Sequence, residues 1–283
     1  MNKRLYLPSI LLLLALLVSG CGFQMVTGSG NIVTQTRNVN GFNSITLAGI
    51  GNVYITQGPT ESVRIEADDN LIPYFDTSVQ GSTLKIGMKD QYLGISLQPS
   101  RPVKFYVTLP KMEAVTLAGS GNIFAGNIQA GAFWISLLGS GNITADTLAA
   151  TNIDIRLSGS GNINLGTVSA GQITANIAGS GDIQVDALAA DKISSKTAGS
   201  GNITIGGKVT EQSAEILGSG DYLASGLKSA TATVRVTGSG DSQVSTSQTL
   251  NVTILGSGNV AYSGNPTVNA SVAGSGNVRK ASQ

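Results

Sequence analysis

The sequence predicts an all-β protein: a right-handed parallel β-solenoid with coils of about 20 residues and an irregular β cap region at its N-terminal end. Three observations predict it. A Gly-Ser-Gly-Asn/Asp motif recurs at nearly constant spacing. Apolar and polar residues alternate on both sides of it. No segment between two motifs is large enough to bury its own apolar face, so the segments must stack.

By its first glycine the motif, with Ile50 in place of serine in one copy, stands at 28, 49, 119, 139, 159, 179, 199, 218, 238, 256 and 274. From 119 onward the steps are 20, 20, 20, 20, 19, 20, 18 and 18. Two residues before that glycine stand Leu117, Leu137, Leu157 and Ile177; four before stand Val115, Ile135, Ile155 and Ala175. Four residues after it stand Ile123, Ile143, Ile163, Ile183 and Ile203, and six after stand Ala125, Ala145, Leu165, Val185 and Ile205. A further apolar position holds Ile128, Leu148, Val168 and Leu188. This is the period of a strand with one buried face. Stacked in register about 4.8 Å apart, the strands of successive coils run parallel, and parallel crossovers are right-handed. Nine turns from 119 onward give a rod about 40 Å long.

The motif itself reads as a corner. Gly119, Gly121, Gly139, Gly141, Gly159 and Gly161 are expected to supply positive φ. Asn122, Asn142, Asn162 and their counterparts, always Asn or Asp, are expected to bond to turn backbone or to form an amide ladder between coils. A phosphate loop would occur once, at the start of a helix; here the motif repeats and no helix follows.

The chain divides accordingly: 1–20 a signal segment, 21–40 a modified N-terminus and linker, 41–118 an irregular β segment that starts the solenoid, and 119–283 the regular repeats. Lys3 and Arg4 precede the apolar run Leu5 to Val18, and small residues lead to Cys21, the only cysteine. This resembles the lipobox of bacterial lipoproteins. The resemblance implies cleavage before Cys21, lipidation of Cys21 and, with Gly22 in the next position, an outer-membrane location in the bacterial envelope. The membrane, reached through that lipid, is thus the first expected partner.

Between 49 and 119 the repeat is interrupted, and aromatic residues collect in this half of the chain. Tyr74, Tyr92, Tyr106 and Trp134 have two readings: large side chains filling a cap, or a patch that binds a glycan or a protein. The outward face preceding the corner carries Trp134, Asp154, Arg156, Thr174, Asn176, Thr233 and Asn251, a flat surface of amides and hydroxyls. Such a face can dock a partner or merely keep the rod soluble.

Little else carries chemistry. The chain has no histidine, 12% charged residues and a net charge of +1, which point to neither nucleic acid nor another polyanion as partner. Asp221 and Asp241 fall in one column on adjacent coils. They are candidates for a cation site or a carboxylate pair, against the alternative that each accepts turn N–H bonds. No residue is expected to be catalytic, no cofactor is expected, and nothing in the sequence sets an oligomeric state.

The repeated [L/I/V]-x-G-S-G-[N/D]-[I/V], with the lipobox and the irregular β segment before it, resembles the bacterial family called "putative auto-transporter adhesin, head GIN domain". The resemblance covers about 30–280 and rests on eleven copies of the motif. It implies a β-solenoid and a non-catalytic role in surface interaction or adhesion, and it brings no catalytic residues with it. A structural envelope protein and a polysaccharide-active β-helix enzyme are the competing classes.

Overall fold

A computed structural model describes residues 25–281. The expected signal segment and Cys21 lie outside the described residues. The alternating stretches become strands. The N-terminal region contains β1 (Met25–Thr27), β2 (Ile32–Arg37), β3 (Ser44–Ala48), β4 (Asn52–Gln57), β5 (Ser62–Asp68), β6 (Phe75–Gln80), β7 (Thr83–Met88), β8 (Ser96–Gln98) and β9 (Lys104–Leu109). The repeats contain β10 (Ala114–Leu117), β11 (Asn122–Leu137), β12 (Ile143–Leu157), β13 (Ile163–Ile177), β14 (Ile183–Thr197), β15 (Ile203–Ile216), β16 (Tyr222–Val236), β17 (Ser242–Ile254), β18 (Val260–Ser263), β19 (Thr267–Val272) and β20 (Val278–Lys280).

Together they form a parallel β-solenoid of about eight turns with coils of roughly 20 residues. The nine corners from Gly119 to Gly274 bound eight intervals, one fewer than the number of corners. From β11 to β17 each strand pairs parallel with its sequence neighbours, so Ile123, Ile143, Ile163, Ile183, Ile203 and Tyr222 lie in one file. The apolar columns read from the spacing are buried up to β17: Leu117, Val115, Ile123, Ala125 and Ile128 head files of side chains that stay closed to solvent until the last coil. Each buried Leu, Ile or Val contributes about 1.5–3 kcal/mol. Pairing skips 126 and 131 in β11, and 146 and 151 in β12, so each long strand folds into three flat runs separated by corners.

The corner glycines from Gly119 onward do not serve the purpose expected of them. Positive φ is found at Gly49 and Gly51 of the first coil, but not at the corner glycines from Gly119 onward. There the constraint is the coil beneath. A Cβ on Gly139 would overlap the carbonyl oxygen of Gly119, and one on Gly141 would overlap that of Gly121. The same contact recurs up to Gly274 and Gly276. The bare Cα lets the corners nest: the Gly119 carbonyl accepts both Ser140 N–H (3.1 Å) and Gly141 N–H (3.3 Å).

The Asx residue completes the corner, and its bond runs between coils instead of back into its own turn. Asn122 Oδ1 accepts Asn142 N–H (3.1 Å), Asn142 Oδ1 accepts Asn162 N–H (3.0 Å), and Asn162 Oδ1 accepts Asp182 N–H (3.0 Å). The ladder continues through Asn202, Asp221, Asp241 and Asn259 to Asn277. The shared requirement is one acceptor oxygen, which Asn and Asp both have. Where the upper residue is asparagine, its Nδ2 often donates to the same oxygen, as Asn142 does to Asn122 and Asn202 to Asp182.

The first coil is β3 with β4, turned at Gly49-Ile50-Gly51, and β10 and β11 stack directly upon it. The intervening residues build the cap beneath. β7 and β9 continue the parallel stack below β3 and β4. Then the direction reverses: β6 pairs antiparallel with β7, β5 with β9, and β2 with β5. Residues 25–37, within the stretch expected to be a linker, are tied into this cap as β1 and β2. Above, β19 exposes five of its six residues and, among the described residues, pairs only with β17.

Coils shorten after Gly199, and polar side chains repair the stack there. Register slips occur between Thr204 and Gly207, and between Ala224 and Lys228. Thr246 Oγ1 donates to Ala230 O (2.8 Å) and Ser229 Oγ to Ser245 O (3.0 Å), replacing ladder bonds. Buried Gln212 donates to Ser229 Oγ (2.8 Å) and accepts from Tyr222 OH (3.2 Å). Burial pushes the Tyr222 phenol far above its ordinary value, so it remains a neutral donor.

Candidate functional site

The four aromatic residues singled out in the sequence do not form one patch. Tyr74, in a 3-10 turn before β6, packs against Tyr92 with ring centroids 4.6 Å apart. Tyr106 on β9 belongs to a different group, and Trp134 lies on another run of β11.

Tyr106 stacks on Tyr54 (5.4 Å, 20° between planes), and Tyr54 stacks on Phe124 (5.2 Å, 15°). The Arg64 guanidinium lies 5.4 Å from the Tyr106 centroid and covers its other side. The column follows the ladder of β5, β9, β4 and β11, which places Arg64, Tyr106, Tyr54 and Phe124 in register. Faces that cover one another are closed to a flat ligand. The column therefore joins the cap to the first coils, as stacked pairs and a cation over a ring do. Beside it Lys104 Nζ bonds Glu66 Oε1 (2.8 Å), and this bond with the Lys104 charge holds the Glu66 carboxyl below its usual range. Tyr54 and Phe124 share a position five residues past the corner glycine, so that pair was visible in the repeat register. Tyr106 was not, because β9 belongs to no repeat.

The run of each coil that leads into the corner presents a wide outward face. Trp134, Asp154, Thr174, Ser194, Ser213, Thr233, Asn251 and Asn269 stand in one column of it. Ala132, Asn152 and Gln172 stand in a parallel column. At its lower end a depression of about 260 Å³ is lined by Trp134, Asn152, Asp154, Gln172 and Thr174. The indole is 47% exposed and enters no ring pair among the described residues. Arg156 Nε donates to Asp154 Oδ1 (2.8 Å) and its Nη2 to Oδ2 (3.3 Å). The carboxylate is oriented and its charge is balanced.

Acidic residues elsewhere act within the fold. Asp221 and Asp241 are rungs of the corner ladder: Asp221 Oδ1 accepts Asp241 N–H (2.7 Å), and Asp241 Oδ1 accepts Asn259 N–H (2.7 Å) and Nδ2 (3.1 Å). No group of three or more Asp, Glu, His or Cys side chains is arranged to hold a metal ion among the described residues.

The turn at Asp68-Asp69-Asn70 receives the first Gly-Ser-Gly-Asn copy, which is not part of a coil. Buried Asp68 accepts Ser100 Oγ (2.6 Å), Ser100 N–H (3.0 Å) and Gly30 N–H (2.7 Å). Asp69 accepts Ser29 Oγ (2.6 Å) and Asn31 Nδ2 (2.8 Å). The Ser100 hydroxyl foremost for Asp68, and the Ser29 hydroxyl foremost for Asp69, hold both carboxyls below their ordinary range.

A stacked β rod with hydrogen-bonded corners and an open polar face defines a protein of the adhesin-like β-solenoid fold class. The sequence matches the family described as "Putative auto-transporter adhesin, head GIN domain" over residues 41–176 and 165–266. The chain belongs to this family. Among solved structures it is similar to a putative lipid binding protein of Parabacteroides distasonis ATCC 8503, at 26% identity and a TM-score of 0.69, covering 92% of this chain and 100% of that one. A putative adhesin of the same organism is 25% identical, with a TM-score of 0.67 over 91% of this chain and 100% of that one. A putative adhesin of Parabacteroides merdae ATCC 43184 shares the fold at 24% identity and a TM-score of 0.64, over 92% of this chain and all of that one. No curated protein matches the sequence.

Proposed function

We propose that this protein is a lipid-anchored component of the bacterial envelope, held at the outer membrane through Cys21, and that it acts as a non-catalytic surface module for interaction and adhesion. The observation that carries the reading is the outward face of β11–β17 and β19, a wide array of amide and hydroxyl side chains on a rigid stack. Side chains on such a stack keep their spacing, which favours recognition by many weak polar contacts. The adhesin family and the lipobox-like run before Cys21 support the surface location. The use of Asp68, Asp69, Asp182, Asp221 and Asp241 as acceptors for the protein's own N–H and O–H groups supports the non-catalytic reading.

The test compares bacteria making the full chain with bacteria making Cys21→Ser. The wild type is expected in the membrane fraction, open to protease on intact cells, and to raise cell retention on immobilised glycans or proteins. Cys21→Ser is expected to lose the membrane fraction and the retention together. Equal retention with and without the protein would end the reading.

A further inference from the structure

Resting on that reading, we propose that the depression beside Trp134 is a subsite for one ring of a neutral oligosaccharide. The indole contacts the ring's C–H face, and Asp154, Asn152 and Gln172 bond its hydroxyls.

The fold does not require a tryptophan there. In the same column the following coils place Asp154, Thr174 and Ser194, so the position faces outward and suits small polar residues. The neighbour below is Ala114, which leaves the large ring without a partner of its own size. Tyr106 and Tyr54 have both faces covered and Phe124 has one face against Tyr54, whereas Trp134 enters no such pair among the described residues. An exposed indole carries negative charge density on its face and attracts the weakly positive C–H groups that cover one side of a pyranose.

The polar groups around it match the rest of the ring. Arg156 fixes the Asp154 carboxylate through two bonds, and a carboxylate has about four acceptor sites, so lone pairs remain for two adjacent hydroxyls. Asn152 and Gln172 each offer a donor and an acceptor on neighbouring coils about 4.8 Å apart. The volume of about 260 Å³ suits a single six-membered ring. Because Arg156 balances Asp154, the subsite has no surplus charge for an anionic sugar, and a uronate would set its carboxylate against Asp154. An extended peptide finds no free ladder beside the indole, since Trp134–Leu137 pairs with β10 below and β12 above, and β12 is paired with β11 and β13.

Trp134 is the only tryptophan in the chain, so its fluorescence reports the subsite directly. The experiment titrates the full chain, in a detergent without a sugar headgroup, with maltohexaose, cellohexaose, chitohexaose and, for comparison, oligogalacturonate. A saturable change in Trp134 emission with at least one neutral hexasaccharide and not with oligogalacturonate is expected. Affinity should fall about tenfold in Trp134→Ala, read by calorimetry, and markedly in Asp154→Asn, with the melting temperature unchanged in both. Neutral sugar binding that leaves Trp134 emission and both variants unaffected would overturn the subsite while leaving the adhesion reading in place. Failure of every neutral sugar, while Cys21-dependent cell retention persists, would overturn it in the same way. Failure of both sugar binding and retention would remove the two readings together.

Discussion

Gly139→Ala tests the reason for the corner glycines. Two accounts make different predictions. If glycine were required for backbone conformation, Gly49, with φ of 137°, should be the sensitive position and Gly139, outside the positive-φ set, the tolerant one. Stacking reverses that order. A Cβ on Gly49 meets nothing within 4 Å, whereas one on Gly139 overlaps the Gly119 oxygen. That oxygen also accepts Ser140 N–H and Gly141 N–H at 3.1 and 3.3 Å, so moving the coils apart weakens both bonds. Two bonds at about 0.5–1.5 kcal/mol each, with about 1–3 kcal/mol of overpacking, give a loss of about 2–6 kcal/mol for Gly139→Ala. Gly49→Ala should cost about 1–2 kcal/mol, from its positive φ. Urea unfolding followed by far-ultraviolet circular dichroism measures both, and hydrogen exchange at Ser140 and Gly141 localises the damage. Because solenoids lose stability coil by coil, exchange should rise at the corners of neighbouring coils first. A Gly139→Ala protein as stable as the wild type, or more stable than Gly49→Ala, would refute the stacking argument.

Four further outcomes follow from the same geometry. Asn142→Asp keeps the Oδ1 that accepts Asn162 N–H and should change stability by less than about 1 kcal/mol, while Asn142→Leu orphans that N–H and should cost about 1–3 kcal/mol in denaturant. A double-mutant cycle between Tyr54 and Tyr106 should give a coupling of about 0.5–1.5 kcal/mol in stability, and neither single change should alter ligand binding. Tyr222→Phe removes the donor to Gln212 Oε1 inside the core and should cost about 1–3 kcal/mol by chemical denaturation. Asp68, Asp69 and Glu66 have folded pKa values below their unfolded ones of about 3.9 and 4.3. Their stabilisation is therefore complete above the unfolded values and is lost as pH falls through the depressed folded values. Limited proteolysis in acid should release residues 25–31 before it opens the coils, and Asp68→Asn should reduce that dependence.

The amino-acid sequence by itself determined the coil. Leu117, Val115, Ile123, Ala125 and Ile128 were identifiable as buried from their spacing alone, because burial in a strand follows a local period of two and the motif supplies a fixed origin for counting. The outward face with Trp134 and Asp154 was legible for the same reason, as was the shared column of Tyr54 and Phe124. Tertiary structure alone decided what each corner residue contacts. A glycine in the sequence signals either unusual φ or close approach, and only the coil beneath Gly139 distinguishes them. The Asx oxygen likewise has a turn and a neighbouring coil within reach, and stacking selects the neighbour. The cap was the least legible part. Tyr106 reaches Tyr54 from 52 residues away, and Asp68 holds Gly30 from 38 residues away. Contacts so distant in the chain leave no local period, since nothing about their spacing repeats.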